Sequence, residues 1–199
     1  MEIVCLDLEG VLVPEIWIAF AKETGIEELK ITTRDEPDYD KLMKYRIGIL
    51  KEHGLGLKEI QETIAKIDPM PGAKEFLDEL RSLTQVIIIS DTFTQFAKPL
   101  MEKLGWPTIF CNTLEVAENG EITGFKMRCE QSKLTTVKAL QSIGYDTIAS
   151  GDSFNDLGMI QAGKAGFLFK STEQIKADYP NIPAFETYEE LLGAIKKVL

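Results

Sequence analysis

Three short apolar runs, each followed at once by acidic or hydroxyl residues, constrain the fold of this chain more than any other feature. The runs and the polar segments after them are residues 2–6 with Asp7-Leu8-Glu9-Gly10, residues 86–89 with Ser90-Asp91-Thr92, and residues 147–150 with Gly151-Asp152-Ser153. Short β-branched runs that end in this way are typical of buried strands that open into loops. In open parallel α/β sheets, ligands bind at the carboxyl edge of the strands. The pattern therefore predicts one crevice lined by carboxylates and hydroxyls, which suits a metal ion and a phosphate group.

The remainder of the chain after Ala73 indicates the fold class. Helical and strand patterns alternate there as repeated βα units, which predicts a doubly wound, mostly parallel α/β sheet of the Rossmann-like kind. Two short apolar segments flank Asn119-Gly120 and predict a small β-hairpin. The predicted strands are 84–90, 108–111, 114–116, 122–125, 147–150, 165–169 and 184–187, and the predicted helices are 73–82, 94–104, 132–143, 155–162 and 188–198.

Residues 14–71 differ from the rest because their apolar residues recur at helical spacing only. The helices predicted within this segment are 14–25, 39–53 and 57–67. Pro69-Met70-Pro71-Gly72 then breaks the pattern sharply, as a linker does. We therefore expect an α/β core formed by residues 1–13 and 72–199, with residues 14–71 inserted after the first strand as a helical cap.

Charge and cysteine content narrow the possible functions. The chain of 199 residues has a formal net charge of −10, and an acidic surface disfavours nucleic acids and anionic membranes as partners. An anionic substrate must then be bound by local groups, since the overall field repels it. The chain has only three cysteines, Cys5, Cys111 and Cys129. So small and odd a number indicates reduced thiols, not a disulfide framework, and a cytoplasmic protein. No apolar stretch reaches about 18 residues and the chain enters a strand at once, so we expect neither a membrane span nor a signal peptide.

The polar segments occur in an order that resembles the four motifs of the haloacid dehalogenase superfamily. The matching residues are Asp7-x-Glu9-Gly10-Val11, Ser90, Lys133 and Gly151-Asp152-Ser153-x-Asn155-Asp156. The resemblance covers the whole chain, including the helical segment, and is strongest to the phosphoserine phosphatases. Through residues 7–17 and 90–93, the chain is similar to a small bacterial subgroup that also transfers the phosphoryl group of phosphoserine to homoserine.

The resemblance implies a mechanism in which a carboxylate is phosphorylated with the help of Mg²⁺. Asp7 is then the nucleophile, and the implied Mg²⁺ ligands are the side chains of Asp7 and Asp152 and the backbone carbonyl of Glu9. The other implied roles are neutralisation of the phosphate and of Asp7 by Lys133, phosphate binding by Ser90, the Asp91 backbone N–H and Asn155, and orientation of the metal ligands by Asp156 and Asn155. The chemistry requires such residues in any case, because a carboxylate that attacks an anion needs a cation beside it, and Mg²⁺ binds carboxylate and phosphate oxygens together.

Glu9 stands where the superfamily usually has a second aspartate. The resemblance implies that the residue at this position protonates the leaving alkoxide and then deprotonates the attacking water. Glutamate can do both but is one methylene longer, which shifts the geometry of the proton transfer. The implied Mg²⁺ contact is unaffected because it is a backbone carbonyl. The subgroup that transfers to homoserine has the same glutamate, which favours the narrower assignment.

Substrate choice is expected to depend on the cap. A phosphorylated amino acid carries an ammonium and a carboxylate, and the cap offers Glu15 and Arg46, which match charged positions of the phosphoserine phosphatases. An arginine fork suits a carboxylate. Charged residues on an amphipathic helix are more often a solvated face, so both roles are hypotheses.

Three functions remain open on the sequence. The favoured one is a Mg²⁺-dependent phosphatase acting on O-phosphoserine, with or without transfer of the phosphoryl group to homoserine. The second is a phosphatase for another small phosphate ester, for which Glu15 and Arg46 are incidental. The third is a non-catalytic switch in which Asp7 accepts a phosphoryl group for signalling, although such a switch has no use for a cap or for Glu9. Apolar residues on the cap helices suit either packing within the chain or a homodimer interface.

Overall fold

The first apolar run forms the central strand of a seven-stranded sheet. The structure is a computed structural model and describes residues 1–32, 35–36 and 38–199. Its strands are β1 (Glu2–Leu6), β2 (Gln85–Phe93), β3 (Ile109–Val116), β4 (Ile122–Lys126), β5 (Asp146–Gly151), β6 (Ala165–Phe169) and β7 (Ala184–Phe185). They lie in the order β4-β3-β2-β1-β5-β6-β7, and every pairing is parallel except that of β3 with β4. The predicted α/β class and the mostly parallel sheet are therefore confirmed.

β1 is buried on both of its faces. Ile3 and Cys5 belong to one hydrophobic cluster, and Val4 and Leu6 belong to another. Successive side chains of a strand point to opposite faces of the sheet, and a parallel sheet is covered by helices on both faces, which explains the absence of polar alternation in this run. Because β1 pairs with β2 on one side and β5 on the other, the next residue, Asp7, lies at the centre of the carboxyl edge.

Helices occupy the segment between β1 and the second strand, as the apolar spacing predicts. The α-helices of the described residues are α1 (Ile16–Thr24), α2 (Tyr39–Glu52), α3 (Leu57–Ile64), α4 (Ala73–Leu83), α5 (Thr94–Lys103), α6 (Ser132–Ser142), α7 (Leu157–Ala162), α8 (Glu173–Asp178) and α9 (Tyr188–Lys196), and short 3₁₀ helices cover Glu27–Lys30 and Phe154–Asp156. α3 packs against α5, and α2 packs against β4. The role of residues 14–71 as a separate cap stays a prediction. None of the described helices is both long and apolar enough to cross a membrane.

The predicted elements differ from those of the structure mainly in two places: at the β3–β4 edge of the sheet, and at α8 in the C-terminal part of the chain. β3 is one strand, whereas the pattern predicts separate strands at 108–111 and 114–116. Its first half pairs with β2 and its second half with β4, so the predicted hairpin is the edge of the main sheet and not an appendage. α8 is missing from the prediction because its six residues are too few to establish a helical period.

The last helix holds the loop that follows β1. The Tyr188 hydroxyl donates a hydrogen bond to the Val11 carbonyl at 2.6 Å. The Tyr188 ring packs against Phe76, with 5.0 Å between the ring centroids, and against Phe169, with 4.8 Å between them. Val11 is fully buried, so without this bond its carbonyl would have no ready access to water.

We expect Tyr188→Phe to lower the free energy of unfolding by about 1–2 kcal/mol, because the substitution keeps the ring and leaves the Val11 carbonyl unpaired. Chemical denaturation of both proteins measures the difference. Tyr145→Phe is the matched control, since the Tyr145 hydroxyl bonds the exposed Gln85 side chain at 3.1 Å. Its effect should stay below about 0.5 kcal/mol. Equal losses in the two variants would contradict the anchoring of this loop by α9.

Candidate active site

Asp7 lies directly beyond the end of β1. Its backbone N–H donates to the Ser150 carbonyl of β5 at 3.0 Å, which extends the parallel ladder by one residue. Its carboxylate oxygen Oδ1 accepts a hydrogen bond from the Leu8 N–H at 2.7 Å. Only 5 % of Asp7 is exposed, so a carboxylate at this position needs a compensating charge.

The compensating charge is the ammonium of Lys133, the second residue of α6. It lies 2.9 Å from Oδ2 of Asp7 and 2.5 Å from Oδ1 of Asp156, and only 3 % of the lysine is exposed. Burial by itself lowers the pKa of Lys133, but the two carboxylates outweigh burial and raise that pKa well above its ordinary value. Burial and the Asp156 carboxylate raise the pKa of Asp7 well above its ordinary value, and Lys133 opposes this rise only in part. Lys133 is thus a permanent positive charge between two buried acids.

Asp156 is completely buried, and both of its carboxylate oxygens accept hydrogen bonds. Oδ1 faces Lys133, and Oδ2 accepts hydrogen bonds from the backbone N–H groups of Asp152 and Ser153, each at 3.0 Å. Gly151 leaves room for this carboxylate, because a Cβ at position 151 would overlap its atoms. Asp156 therefore fixes the turn that presents Asp152.

Asp152 completes a group of carboxylates that could hold a cation. Carboxylate oxygens of Asp7, Asp152 and Asp156 lie within 4.8 Å of one another, and Mg²⁺ prefers hard oxygen ligands of this kind. Within the described residues Asp152 has no ion-pair partner, and burial and the Asp156 carboxylate raise its pKa to about 7. Because the oxygens of Asp156 are taken up by Lys133 and two backbone N–H groups, Asp7 and Asp152 keep more free lone pairs for a metal. This donor set fits Mg²⁺.

Gly10 brings the loop after β1 close to Asp152. Its φ of +77° lies in the left-handed region, which favours glycine. A Cβ at this position would lie 2.5 Å from the Asp152 carboxylate. Glycine is therefore favoured at position 10 for two reasons: its backbone adopts a left-handed φ, and a side chain there would collide with Asp152.

Ser90 and Asp91 lie near the end of β2, which is longer than predicted and runs to Phe93. The Ser90 side chain is buried. The Asp91 carboxylate accepts hydrogen bonds from the Ser132 hydroxyl at 2.7 Å and from the Asn155 amide at 2.8 Å. Residues predicted to bind phosphate are thus brought to the same edge of the sheet, and Asp91 joins α6 to the turn after β5.

The Glu9 side chain extends toward the start of α1. Its Oε2 accepts a hydrogen bond from the Ile16 N–H at 2.9 Å. The pKa of Glu9 is raised to about 8, mainly by burial and next by the charge of Glu15. The hydrogen bond from the Ile16 N–H and the charge of Arg46 lower this pKa, but by less. The proximity of the Glu15 carboxyl thus favours the protonated form of Glu9. Glu9 therefore has a proton to donate at neutral pH.

Arg46 of α2 is buried near this carboxyl pair, with 6 % of the residue exposed. Its Nη2 donates to the Ile31 carbonyl at 2.7 Å, and its guanidinium lies 4.5 Å above the centre of the Trp17 ring. Burial lowers the pKa of Arg46 to about 10, which leaves the group charged at neutral pH. The Arg46 Nε has no hydrogen-bond partner in the part of the chain that the structure describes. A buried guanidinium with an unsatisfied N–H is suited to receive an anionic group.

Three residues of the site were not predicted from the sequence. The Tyr39 hydroxyl of α2 donates to the Asp91 carbonyl at 3.1 Å, a contact between residues 52 positions apart that no local pattern could indicate. Ser132 bonds the Asp91 carboxylate, and its position directly before Lys133 was the available signal. Trp17 is buried in the core, as its helical spacing predicts, but it also supports Arg46.

The chain is similar to known proteins over nearly all of its length. The family model of the haloacid dehalogenase-like hydrolases matches residues 1–164. Phosphoserine phosphatase ThrH of Pseudomonas aeruginosa is 53 % identical over 191 residues, which cover 96 % of this chain and 93 % of the relative. A phosphoserine phosphatase of Pseudomonas syringae pv. tomato is 50 % identical over 191 residues, which cover 96 % of this chain and 81 % of the relative. A solved structure described as a phospho-aspartyl intermediate analogue of phosphoserine phosphatase has the same fold, with a TM-score of 0.79, 24 % identity and coverage of 97 % of this chain and 98 % of that chain.

We expect Gly10→Ala to destabilise the protein more than Gly25→Ala. Both glycines have a left-handed φ, +77° and +73°, so alanine strains the backbone by about 1 kcal/mol at either position. At position 25 nothing lies within 4 Å of an added Cβ, whereas at position 10 the Cβ meets the Asp152 carboxylate. The further loss at position 10 should be about 1–3 kcal/mol, measured by chemical denaturation. Equal losses would show that Asp152 is free to move aside, contrary to the close packing described above.

Proposed function

The chain belongs to the haloacid dehalogenase-like hydrolase family, and we propose that it is a Mg²⁺-dependent phosphatase that hydrolyses O-phospho-L-serine through an aspartyl-phosphate on Asp7. Both Pseudomonas relatives carry the name phosphoserine phosphatase. The observation that carries the proposal is the buried row of Asp7, Lys133 and Asp156, with Asp152 beside it. Such a row fixes a carboxylate at the edge of the sheet and compensates its charge, as a nucleophile toward phosphorus requires.

The proposed reaction has two displacements at phosphorus. In the first, an oxygen of Asp7 attacks the phosphorus, the bond from phosphorus to the serine oxygen breaks, and Glu9 gives its proton to that oxygen. The pKa of Glu9, raised to about 8, supports this assignment because the proton is present at neutral pH. In the second, Glu9 takes a proton from water, the water oxygen attacks the phosphorus, and the bond to Asp7 breaks. Inorganic phosphate leaves, and both side chains return to their starting states.

The protein as a whole carries a negative charge and repels a phosphate, so groups within the site must offset the charge of the phosphate. We assign the Mg²⁺ site to the side chains of Asp7 and Asp152 and the backbone carbonyl of Glu9, with Asp156 orienting Asp152 through the Asp152 N–H. When bound, Mg²⁺ supplies positive charge that offsets the repulsion between carboxylate and phosphate. The proposed donors to the phosphate are the Lys133 ammonium, the Ser90 hydroxyl, the Asp91 N–H and the Asn155 amide.

Glu15 and Arg46 are the proposed partners of the substrate's ammonium and carboxylate. The role of Arg46 is supported by its burial and by its Nε, which has no hydrogen-bond partner among the residues that the structure describes. The role of Glu15 is supported by its exposed carboxyl group beside Glu9. Both residues belong to the segment 14–71, which in this proposal acts as a cap and excludes water from the crevice. Exclusion of water also bears on homoserine, whose hydroxyl would compete with water for the aspartyl-phosphate.

We expect the protein to release phosphate from O-phospho-L-serine when Mg²⁺ is present. Asp7→Asn should lower this rate by about 10³-fold or more, because the nucleophile is lost. Chelation with EDTA should stop the reaction, and added Mg²⁺ should restore it. Asp146→Asn is the control, since that carboxylate lies at the start of β5 with 58 % of its side chain exposed. Release by Asp7→Asn at the native rate would contradict the assigned nucleophile.

Addition of homoserine to the same assay identifies the acceptor. Phosphohomoserine that accumulates while phosphate release falls would support transfer, and unchanged release would leave hydrolysis alone. Activity on another phosphate ester but not on phosphoserine would replace the substrate assignment. A long-lived phosphoprotein without turnover would favour a signalling switch.

Each proposed contact to the substrate's amino acid can be tested by comparing phosphoserine with an analogue that lacks the group contacted. Arg46→Lys should raise the KM for phosphoserine by about 10–100-fold, because a charge-assisted hydrogen bond contributes about 1.5–3 kcal/mol. It should leave O-phosphoethanolamine, which lacks the carboxylate, unaffected. Glu15→Gln should impair phosphoserine but spare 3-phosphooxypropanoate, which lacks the ammonium. Equal losses on the full and the truncated substrate would instead assign the residue a role in packing.

We further propose that the protein is located in the cytoplasm. Cys5, Cys111 and Cys129 are free thiols in the structure, which supports a reducing, cytoplasmic environment. A homodimer stays a hypothesis, for which Tyr45 of α2, 47 % exposed, offers an apolar contact.

A further inference from the structure

The Asp91 carboxylate makes contacts that a role for its backbone N–H alone does not explain. One oxygen, Oδ2, accepts a hydrogen bond from the Asn155 Nδ2 at 2.8 Å, and the other, Oδ1, accepts one from the Ser132 hydroxyl at 2.7 Å. The two donors belong to different elements, since Ser132 begins α6 and Asn155 lies in the 3₁₀ helix Phe154–Asp156. An aspartate side chain with no structural role would be expected to face water, whereas both carboxylate oxygens of Asp91 accept hydrogen bonds from protein side chains.

The contact with Asp91 decides which way the Asn155 amide is turned. An asparagine amide donates hydrogen bonds through Nδ2 and accepts them through Oδ1, while an ionised carboxylate only accepts. The nitrogen of Asn155 must therefore face Asp91. On the other side, Oδ1 lies within hydrogen-bond distance of the Ser153 hydroxyl. The amide is held at both ends, and its second N–H is available to another acceptor.

The same carboxylate also reaches the neighbours of the buried ion pair. Ser132 directly precedes Lys133, and Asn155 directly precedes Asp156. Asp91 therefore joins the two segments whose next residues form the contact between Lys133 and Asp156.

We propose that Asp91 is a positioning residue, whose carboxylate turns the Asn155 amide so that an N–H, and not the carbonyl oxygen, meets the phosphate. The inference rests on the proposed phosphatase function and adds to it a side chain that acts through Asn155 without touching the substrate. An asparagine at position 91 can itself rotate and offer a donor. Asn155 is then free to turn its carbonyl oxygen toward the phosphate, where it repels the anion.

A double-mutant cycle of Asp91→Asn and Asn155→Ala tests this role. In the native background, Asp91→Asn should lower kcat/KM for phosphoserine by about 10–100-fold, mainly through a higher KM. In the Asn155→Ala background, the same change should lower it by no more than about twofold, because the group through which Asp91 acts is gone. Losses that multiply in the double variant would overturn the proposal.

An amide–carboxylate pair far from the crevice provides the matched control. The Gln174 amide donates to the Asp178 carboxylate at 2.9 Å on the exposed face of α8. Asp178→Asn and Gln174→Ala should leave kcat/KM within about twofold of the native value. Thermal unfolding of all variants identifies any that fail to fold.

Binding of inorganic phosphate, followed by calorimetry, separates this inference from the proposed function. If the native protein fails to hydrolyse phosphoserine, the proposed substrate is lost, but phosphate binding still decides the role of Asp91. Asp91→Asn should weaken phosphate binding by about 10–100-fold in the native background and hardly at all in Asn155→Ala. Equal binding by the native protein and Asp91→Asn, or no binding by the native protein, would overturn the proposal.

Discussion

The contact of the Lys133 ammonium with two buried carboxylates is the interaction on which the rest of the site depends. A buried charge is tolerated only where it is paired and hydrogen-bonded, and removal of one partner leaves the others uncompensated. Here the partners come from the end of β1, the first turn of α6 and the turn after β5. These segments are distant in sequence, so the contact can form only when the sheet has its native order. The site is therefore a product of the whole core and not of one loop.

The acids around the crevice fall into two groups with different partners. Asp7 has a cation at 2.9 Å, whereas Glu9 accepts a hydrogen bond from the Ile16 N–H and is affected by the charges of both Glu15 and Arg46. A cation favours the charged form of a carboxylate, and a second carboxyl group favours the protonated form. Burial raises the pKa of both carboxyl groups, so it is their partners, and not opposite pKa shifts, that distinguish them. The contact with Lys133 supports Asp7 as the proposed nucleophile, for a reason independent of the order of the two acids in the sequence.

The sequence predicts those parts of the site that lie at strand ends, because parallel strands bring their carboxyl ends to one edge. The proximity of Asp7 and Asp152 follows from this rule alone. The inward position of Lys133 does not, since a lysine on a helix usually faces solvent, and only its resemblance to a known motif indicated that position. The contact of Tyr39 with Asp91 had no signal at all, because it depends on how α2 lies against the sheet. Periodicity and spacing identify elements and their ends, while contacts between elements depend on tertiary packing.

Asp91, like Glu9, is a residue of the site that contacts the helices between β1 and β2. Its carboxylate accepts hydrogen bonds from two core segments, and its carbonyl accepts one from Tyr39 at 3.1 Å. Tyr39 begins α2, and Arg46 lies two turns further along the same helix, so both side chains are on one face of it. A shift of α2 that repositions Arg46 must also pull on the Asp91 backbone, whose N–H is a proposed donor to the phosphate. The helix therefore provides a physical connection between Arg46, the proposed partner of the substrate carboxylate, and Asp91, a proposed donor to the phosphate.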